Sequence, residues 1–293
     1  MHCTITLPMP ELPEVETVMR GIEPHILSNP IRAVDVNRYD LRVPVPAEFS
    51  SVFKNQKITS LIRRGKYILA FCENGAGFVL HLGMSGRIQV HEPGDIYKQQ
   101  KHDHIIINMN DNTRIVFNDP RRFGMLYLTD AENWQAEKPF SLMGPEPLGN
   151  EFNADLLAEK LKLKRVPIKN ALLDQQIVAG LGNIYVCEAL YYAGIHPERL
   201  AKDLSADEIE LLTLQIRDVL KKAIAAGGSS LKDYKHTDGQ LGYFQHNFAA
   251  YNRENEHCPK AAKNPIKNSD ASHIIKRIVQ SGRSTFFCPT CQS

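Results

Sequence analysis

Behind an internal Met9 the chain reads Pro10-Glu11-Leu12-Pro13-Glu14-Val15-Glu16. If translation starts at Met9, removal of that methionine leaves Pro10 with a secondary amine at the N-terminus. Such an amine can attack an electrophilic carbon and form an iminium intermediate, whereas the amide nitrogen of an internal proline cannot. A reference α-amino pKa of about 7.7–8.0 leaves roughly a tenth or more of the group neutral at pH 7. Glu11 stands beside it as a proton donor and acceptor. The same residues also suit a plain helix start, with Pro in the first turn and Glu against the helix dipole. Alone, the pair does not choose between these two roles.

Two further groups could do chemistry. Gly180-Leu181-Gly182-Asn183 lies between two helical patterns. Its glycines permit a tight backbone path, and Asn183 opens a helix whose free N–H groups favour a phosphate. A plain helix–helix turn would use the same residues. Cys258, Cys288 and Cys291 cluster near the C-terminus, which in a cytosolic chain suggests a metal rather than disulfides. Cys3, Cys72 and Cys187 are isolated, the last two in apolar surroundings that suit reduced core thiols.

The elements that must position these groups can be read from periodicity. Val15, Val18, Met19 and Ile22 recur at helical spacing, so a helix runs from Pro13 to about Leu27, ended or kinked early by Pro24. Short β-rich runs follow at 31–36, 57–63, 67–72, 77–82, 87–91, 104–109, 114–118 and 125–128, separated by turn residues such as Asn74-Gly75 and Pro93-Gly94. Strands at this spacing predict a sandwich or barrel-like domain. Met143 to Gly149 is a Pro/Gly-rich boundary, beyond which helices are expected at 155–164, 168–175, 184–193 and 206–226. Gly227-Gly228 ends the last of them. Strand-like patterning returns from Tyr243 to Ser293.

With 293 residues, 43% hydrophobic and 23% charged, the chain is an ordinary globular protein of about two domains. No apolar run approaches the ~20 residues of a membrane span, and Met1 to Pro8 lack the charged region of a secretory signal. The net charge of +2 does not announce a polyanion binder, but its distribution is uneven. Lys160 to Lys169 hold five basic residues and no acidic one, and Ser229 to Ser293 hold nine Lys or Arg against five Asp or Glu. A basic face on a near-neutral whole fits a protein that meets a polyanion on one side.

Taken together, these segments resemble formamidopyrimidine-DNA glycosylases, repair enzymes that remove oxidised purines. The resemblance rests on Pro10–Thr17 and Gly180–Tyr185, with Arg63-Arg64-Gly65-Lys66-Tyr67, His81-Leu82-Gly83-Met84-Ser85-Gly86, Lys101-His102-Asp103-His104, Asp119-Pro120-Arg121-Arg122-Phe123-Gly124, Pro167-Ile168-Lys169 and Gln280–Thr285 in the family's order. It implies an α+β protein. The catalytic β-sandwich domain with flanking helices spans 10–145, and a helical DNA-binding domain with a helix–two-turn–helix spans 146–242. A zinc-finger-like hairpin spans 243–293, and residues 1–9 are an extension absent from the active protein.

The resemblance also implies roles. Pro10 is the nucleophile, Glu11 the acid that helps open the sugar, and Glu14 its electrostatic support. Lys66, Asn183 and Arg283 contact phosphates, His102 is a further DNA contact, and Lys169 helps process oxidised guanine. Met84, Arg121 and Phe123 fill the gap left when the damaged base is swung out of the stack. Residues 232–241 correspond to a loop that covers that base. The partner implied is damaged double-stranded DNA, met by a monomer in the bacterial cytoplasm. The rivals are the sister enzyme for oxidised pyrimidines and a non-catalytic lesion binder with Pro10 blocked.

At the C-terminus the chain departs from the family. Cys288-Pro289-Thr290-Cys291 is an intact Cys-x2-Cys pair, but Cys258-Pro259-Lys260 is followed by Ala261 where a second cysteine belongs. Three thiolates and one histidine also make an ordinary zinc site. His273 is preferred as fourth ligand, because the intervening stretch can fold back, whereas His257 would point away from its neighbour Cys258. A water ligand or a metal-free hairpin are the other arrangements the sequence allows.

Overall fold

The computed structural model describes residues 9–27, 29–229, 244–262 and 273–293. The expected extension before Met9 and the expected cover loop at 232–241 lie outside the described residues. The chain divides into two compact units: 1–142 with 226–243, and 143–225 with 244–293.

The first unit begins with helix α1, Leu12–Ile26. Pro24 does not end it. Proline lacks one ladder N–H, but it sits in the last turn, and the Leu27 N–H still reaches the Glu23 carbonyl at 3.1 Å. Eight strands follow, with the short helix α2 (Phe49–Phe53) between the first two: β1 Ile31–Val36, β2 Ile58–Arg64, β3 Tyr67–Cys72, β4 Ala76–His81, β5 Arg87–His91, β6 Asp103–Met109, β7 Arg114–Asn118 and β8 Met125–Asp130. They form two four-stranded sheets in the orders β1-β6-β7-β5 and β2-β3-β4-β8, and every pairing is antiparallel. The sandwich expected from strand spacing is therefore present. Its core contains Ile31, Ile58, Ile68, Phe78, Ile105 and Phe117. Val15, Val18, Ile22 and Ile26, one stripe of α1, are buried in the same cluster. Burial pushes the Cys72 thiol up to about 11, which suits an inert core residue.

In the second unit, α3 (Ala154–Leu161), α4 (Ile168–Leu173), α5 (Asn183–Ala193) and α6 (Ala206–Ala225) precede a single turn, α7 (Pro259–Ala262), and the hairpin of β9 (Lys276–Gln280) and β10 (Arg283–Phe287). The two-residue hairpin loop has Ser281 at φ 48° and Gly282 at φ 73°. Positive φ at both central positions is the turn whose twist matches paired strands, and it leaves Arg283 exposed at the tip. Glu188, fully buried on α5, accepts the N–H groups of Ala249, Ala250 and Tyr251 at 2.7–2.9 Å, tying the segment before the hairpin to that helix. Among the described residues no helix is long and apolar enough to cross a membrane.

Candidate active site and metal centre

Pro10 and Glu11 are buried at the start of α1. Glu11 is the N-cap, in extended backbone, and is only 2% exposed. Glu14 holds this arrangement. One of its carboxylate oxygens accepts the Glu11 N–H at 2.9 Å. The other accepts the Ser229 N–H and O–H at 2.8 and 2.9 Å. A helix start leaves backbone donors unsatisfied, and here a buried carboxylate serves one of them directly beside Pro10. Two residues on, Glu16 pairs with Arg20 at 2.8 Å and with Arg63 of β2 at 2.6 Å, which fixes the helix against its sheet.

Lys66 occupies the two-residue turn closing the β2–β3 hairpin, where Arg64 pairs with Tyr67 and Gly65 supplies φ 57°. Near it lies His81, packed at a tilt of 45° against Tyr67 with ring centroids 4.6 Å apart. Burial, and then the positive charges of Lys66 and Arg42, lower the His81 pKa from 6.5 to about 4. The ring is therefore neutral at pH 7, and its Nδ1 accepts the Gly83 N–H at 3.0 Å. The sequence reading assigned His81 no role, although a histidine closing an apolar strand was a signal.

Met84, Arg121 and Phe123 stand on two turns fastened by one carboxylate. Asp119, 0% exposed, accepts the Ser85 hydroxyl at 2.5 Å and the Arg121 N–H at 3.3 Å through Oδ1. Its Oδ2 accepts the Gly124 N–H at 2.8 Å. The turns also touch backbone to backbone: a Cβ on Gly83, which has φ +66°, would stand 2.4 Å from the Phe123 carbonyl carbon. The guanidinium of Arg121 lies 4.9 Å from the centroid of the Phe123 ring, which is 41% exposed. Asp119 reaches His102 as well, donating its N–H to the His102 carbonyl at 3.0 Å, and its own carbonyl lies 2.7 Å from His104 Nε2. Three apolar or cationic tips and His102 thus depend on one buried residue that no periodicity would single out.

In the second unit, Gln175 shapes the path between α4 and α5. Its amide donates to the Leu173 and Leu181 carbonyls, and its oxygen accepts the Gly180 N–H at 2.8 Å. Asn183 follows as the first residue of α5, with its Nδ2 2.8 Å from the carbonyl of Ser284, the neighbour of Arg283. The structure therefore brings Asn183 and the Arg283 strand together. Lys169 converges on the same strand, donating to the Ser284 carbonyl at 3.2 Å and to Thr285 Oγ1 at 2.6 Å. It is fully buried. Its ammonium is turned onto the hairpin strand, at Ser284 and Thr285.

The three clustered cysteines meet His273, not His257. An antiparallel bridge between His257 and Ile274 sets Cys258 opposite His273, whose carbonyl accepts the Cys258 N–H at 2.9 Å. His257 is left exposed. One ligand atom from each of Cys258, His273, Cys288 and Cys291 lies within 4.8 Å of all the others. The Sγ atoms of Cys258 and Cys291 are 3.6 Å apart, and His273 Nδ1 is 3.5 Å from Cys291 Sγ. A tetrahedron with metal–sulfur bonds of ~2.3 Å has edges of about 3.8 Å, so the donor set fits one structural zinc ion.

Three family models match the chain: the formamidopyrimidine-DNA glycosylase N-terminal domain over residues 9–126, its H2TH domain over 143–235, and the zinc finger found in FPG and IleRS over 272–293. The formamidopyrimidine-DNA glycosylases of Dinoroseobacter shibae and Roseobacter denitrificans are 48% and 49% identical, with 97% of this chain and all of each relative covered. Among solved structures, a Lactococcus lactis FPG mutant in complex with a Fapy-dG containing DNA superposes with a TM-score of 0.86 at 32% identity, covering 97% of this chain and 100% of that one. The Thermus thermophilus MutM (FPG) protein gives 0.83 at 36% identity, covering 97% and 98%. The sandwich, the helix–turns–helix, the finger and their order along the chain are those of one family, and this protein belongs to the formamidopyrimidine-DNA glycosylases.

Proposed function

We propose that this protein excises oxidised purines, 8-oxoguanine and formamidopyrimidines, from duplex DNA and then cuts the strand at the abasic site. The observation that carries this reading is the buried Pro10–Glu11–Glu14 helix start on the same scaffold as the Met84, Arg121 and Phe123 turns. The name shared by the relatives and the Fapy-dG containing DNA bound to the Lactococcus lactis protein support it.

The nitrogen of a free N-terminal Pro10 attacks C1′ of the damaged nucleotide. A C–N bond forms there, the glycosidic bond breaks, and its electrons leave with the base. Glu11 delivers a proton to the ring oxygen as the sugar opens to an iminium. Proton loss from C2′ then expels the 3′ phosphate, and a second elimination expels the 5′ phosphate. Glu14 keeps the Glu11 backbone in register throughout. Lys66, His102, Asn183 and Arg283 hold phosphates, so binding weakens steeply with salt. Met84, Arg121 and Phe123 occupy the gap in the stack. Cys258, His273, Cys288 and Cys291 hold the zinc, which stiffens the hairpin carrying Arg283. The protein acts as a monomer in the cytoplasm, and its working form begins at Pro10, residues 1–9 being absent.

Borohydride reduction during turnover tests the mechanism. Protein whose intact mass shows Pro10 at the N-terminus is expected to form a trapped adduct with 8-oxoguanine duplex, and protein retaining residues 1–8 is not. No adduct from the trimmed protein would refute the mechanism. Faster excision of thymine glycol than of 8-oxoguanine would move the substrate to oxidised pyrimidines.

A further inference from the structure

A tyrosine on α5 completes the metal centre from outside it. Tyr191 is 1% exposed, and its hydroxyl oxygen lies 3.1 Å from Cys258 Sγ. The same oxygen accepts the Lys260 N–H at 3.2 Å. The Lys260 ammonium turns back to the helix, 2.8 Å from the Tyr191 carbonyl oxygen and 4.8 Å from the centroid of its ring. Around Cys258, then, backbone and side chain of Lys260 both close onto the Tyr191–Tyr192 end of α5.

The direction of the Tyr191–Cys258 hydrogen bond follows from the chemistry of the ligand. A cysteine bound to zinc is a thiolate with no proton to give. Tyrosine offers one O–H and acceptor lone pairs. With Lys260 N–H donating to the oxygen, the hydroxyl proton is directed to the sulfur, giving a relay from Lys260 N–H through Tyr191 O–H to Cys258 Sγ. The chain needs such support at this cysteine in particular. Cys288 and Cys291 belong to an intact pair, whereas Cys258 stands alone, with Ala261 in place of a partner.

We propose that Tyr191 is a positioning residue of the metal centre, donating its hydroxyl hydrogen to the zinc-bound Cys258 sulfur and so holding the ligand that lacks a paired cysteine. The proposal rests on the zinc assignment and goes beyond it by naming a residue that is not a ligand. Outer partners of this kind orient the ligand, and their loss typically lowers metal affinity by about 10- to 100-fold.

The test compares the full-length protein with Tyr191→Phe and, as a control, Tyr192→Phe, whose ring is adjacent but 40% exposed. Zinc affinity is read by competition with a colorimetric chelator. The sulfur environment is read from the thiolate-to-cobalt charge-transfer band of the cobalt-substituted proteins. Tyr191→Phe is expected to bind zinc at least tenfold more weakly and to move the band to longer wavelength, because an unbonded thiolate gives up its electrons more readily. Altered packing alone would leave the band in place. Tyr192→Phe is expected to match the unmodified protein in both readings. Equal zinc affinity and an unshifted band in Tyr191→Phe would overturn the proposal. Unmodified protein that takes up neither zinc nor cobalt would overturn the zinc assignment, and the proposal with it.

Discussion

Acid should loosen the turn that carries Met84, through His81. In the folded protein this imidazole is held down from 6.5 to about 4 by burial and by the neighbouring Lys66 and Arg42 charges. In the unfolded chain it titrates near its ordinary value. Between pH 6.5 and 4 the unfolded chain therefore takes up a proton that the folded protein refuses. The stability contribution is fully present above pH 6.5 and is lost as the pH falls through 4. The difference of roughly 2.5 pH units converts to about 3 kcal/mol lost by pH 4. The structural reason is specific: Nδ1 accepts the Gly83 N–H, and a protonated ring has no lone pair to accept it. Urea unfolding at pH 7 and pH 4 measures the loss, with His81→Asn as the reference. Asparagine can take the same N–H with its side-chain oxygen and does not titrate. The unmodified protein should lose about 3 kcal/mol more than the variant over that range. An NMR titration of the ring places the proton directly. A His81 pKa near 6.5, or parallel pH profiles for the two proteins, would refute the reasoning.

Two other outcomes follow from single buried carboxylates. Asp119→Asn puts a donor where the Ser85 O–H or a backbone N–H needs an acceptor. At about 1.5–3 kcal/mol for a lost hydrogen bond to a charged group, excision from duplex should slow by roughly tenfold or more. Strand cutting at a preformed abasic site in single-stranded DNA, where no stack must be filled, should slow far less. Single-turnover rates on the two substrates decide, and equal losses would contradict the clamp. Glu188→Ala leaves the Ala249, Ala250 and Tyr251 N–H groups without their acceptor. It should cost at least about 3 kcal/mol in urea unfolding, and a cost below ~1 kcal/mol would count against the anchor.

Much of the fold was legible because the local signals agreed. The runs at 31–36, 67–72, 87–91 and 114–118 are strands with those same bounds, since turn residues bracket each β-rich segment. Pro24 misled because position within a helix, rather than residue type, decides what a proline costs. The sheet order β1-β6-β7-β5 was not legible, as it depends on which distant strands share a core. The fourth metal ligand could be chosen because the stretch after Cys258 can fold back and the neighbouring His257 would point to the opposite face. The burial of Lys169 could not, since lysine is ordinarily exposed and its partners Ser284 and Thr285 lie 115 and 116 residues away. Asp119, His81 and Tyr191 lie inside or beside recognisable motifs. Their tasks became visible only once partners 34, 2 and 67 residues away stood beside them.

The carbonyl of Ser284 accepts from both Asn183 and Lys169, so the hairpin is moored to two helices at a point away from its cysteines. That mooring makes the ligand set evolvable. A finger held by metal alone could not exchange a cysteine for a histidine without passing through a form that lets the hairpin go. Here an intermediate with weakened metal binding would still keep Arg283 beside the start of α5. A ligand set of Cys258 and the distant His273 beside the Cys288–Cys291 pair is one that such a second attachment tolerates.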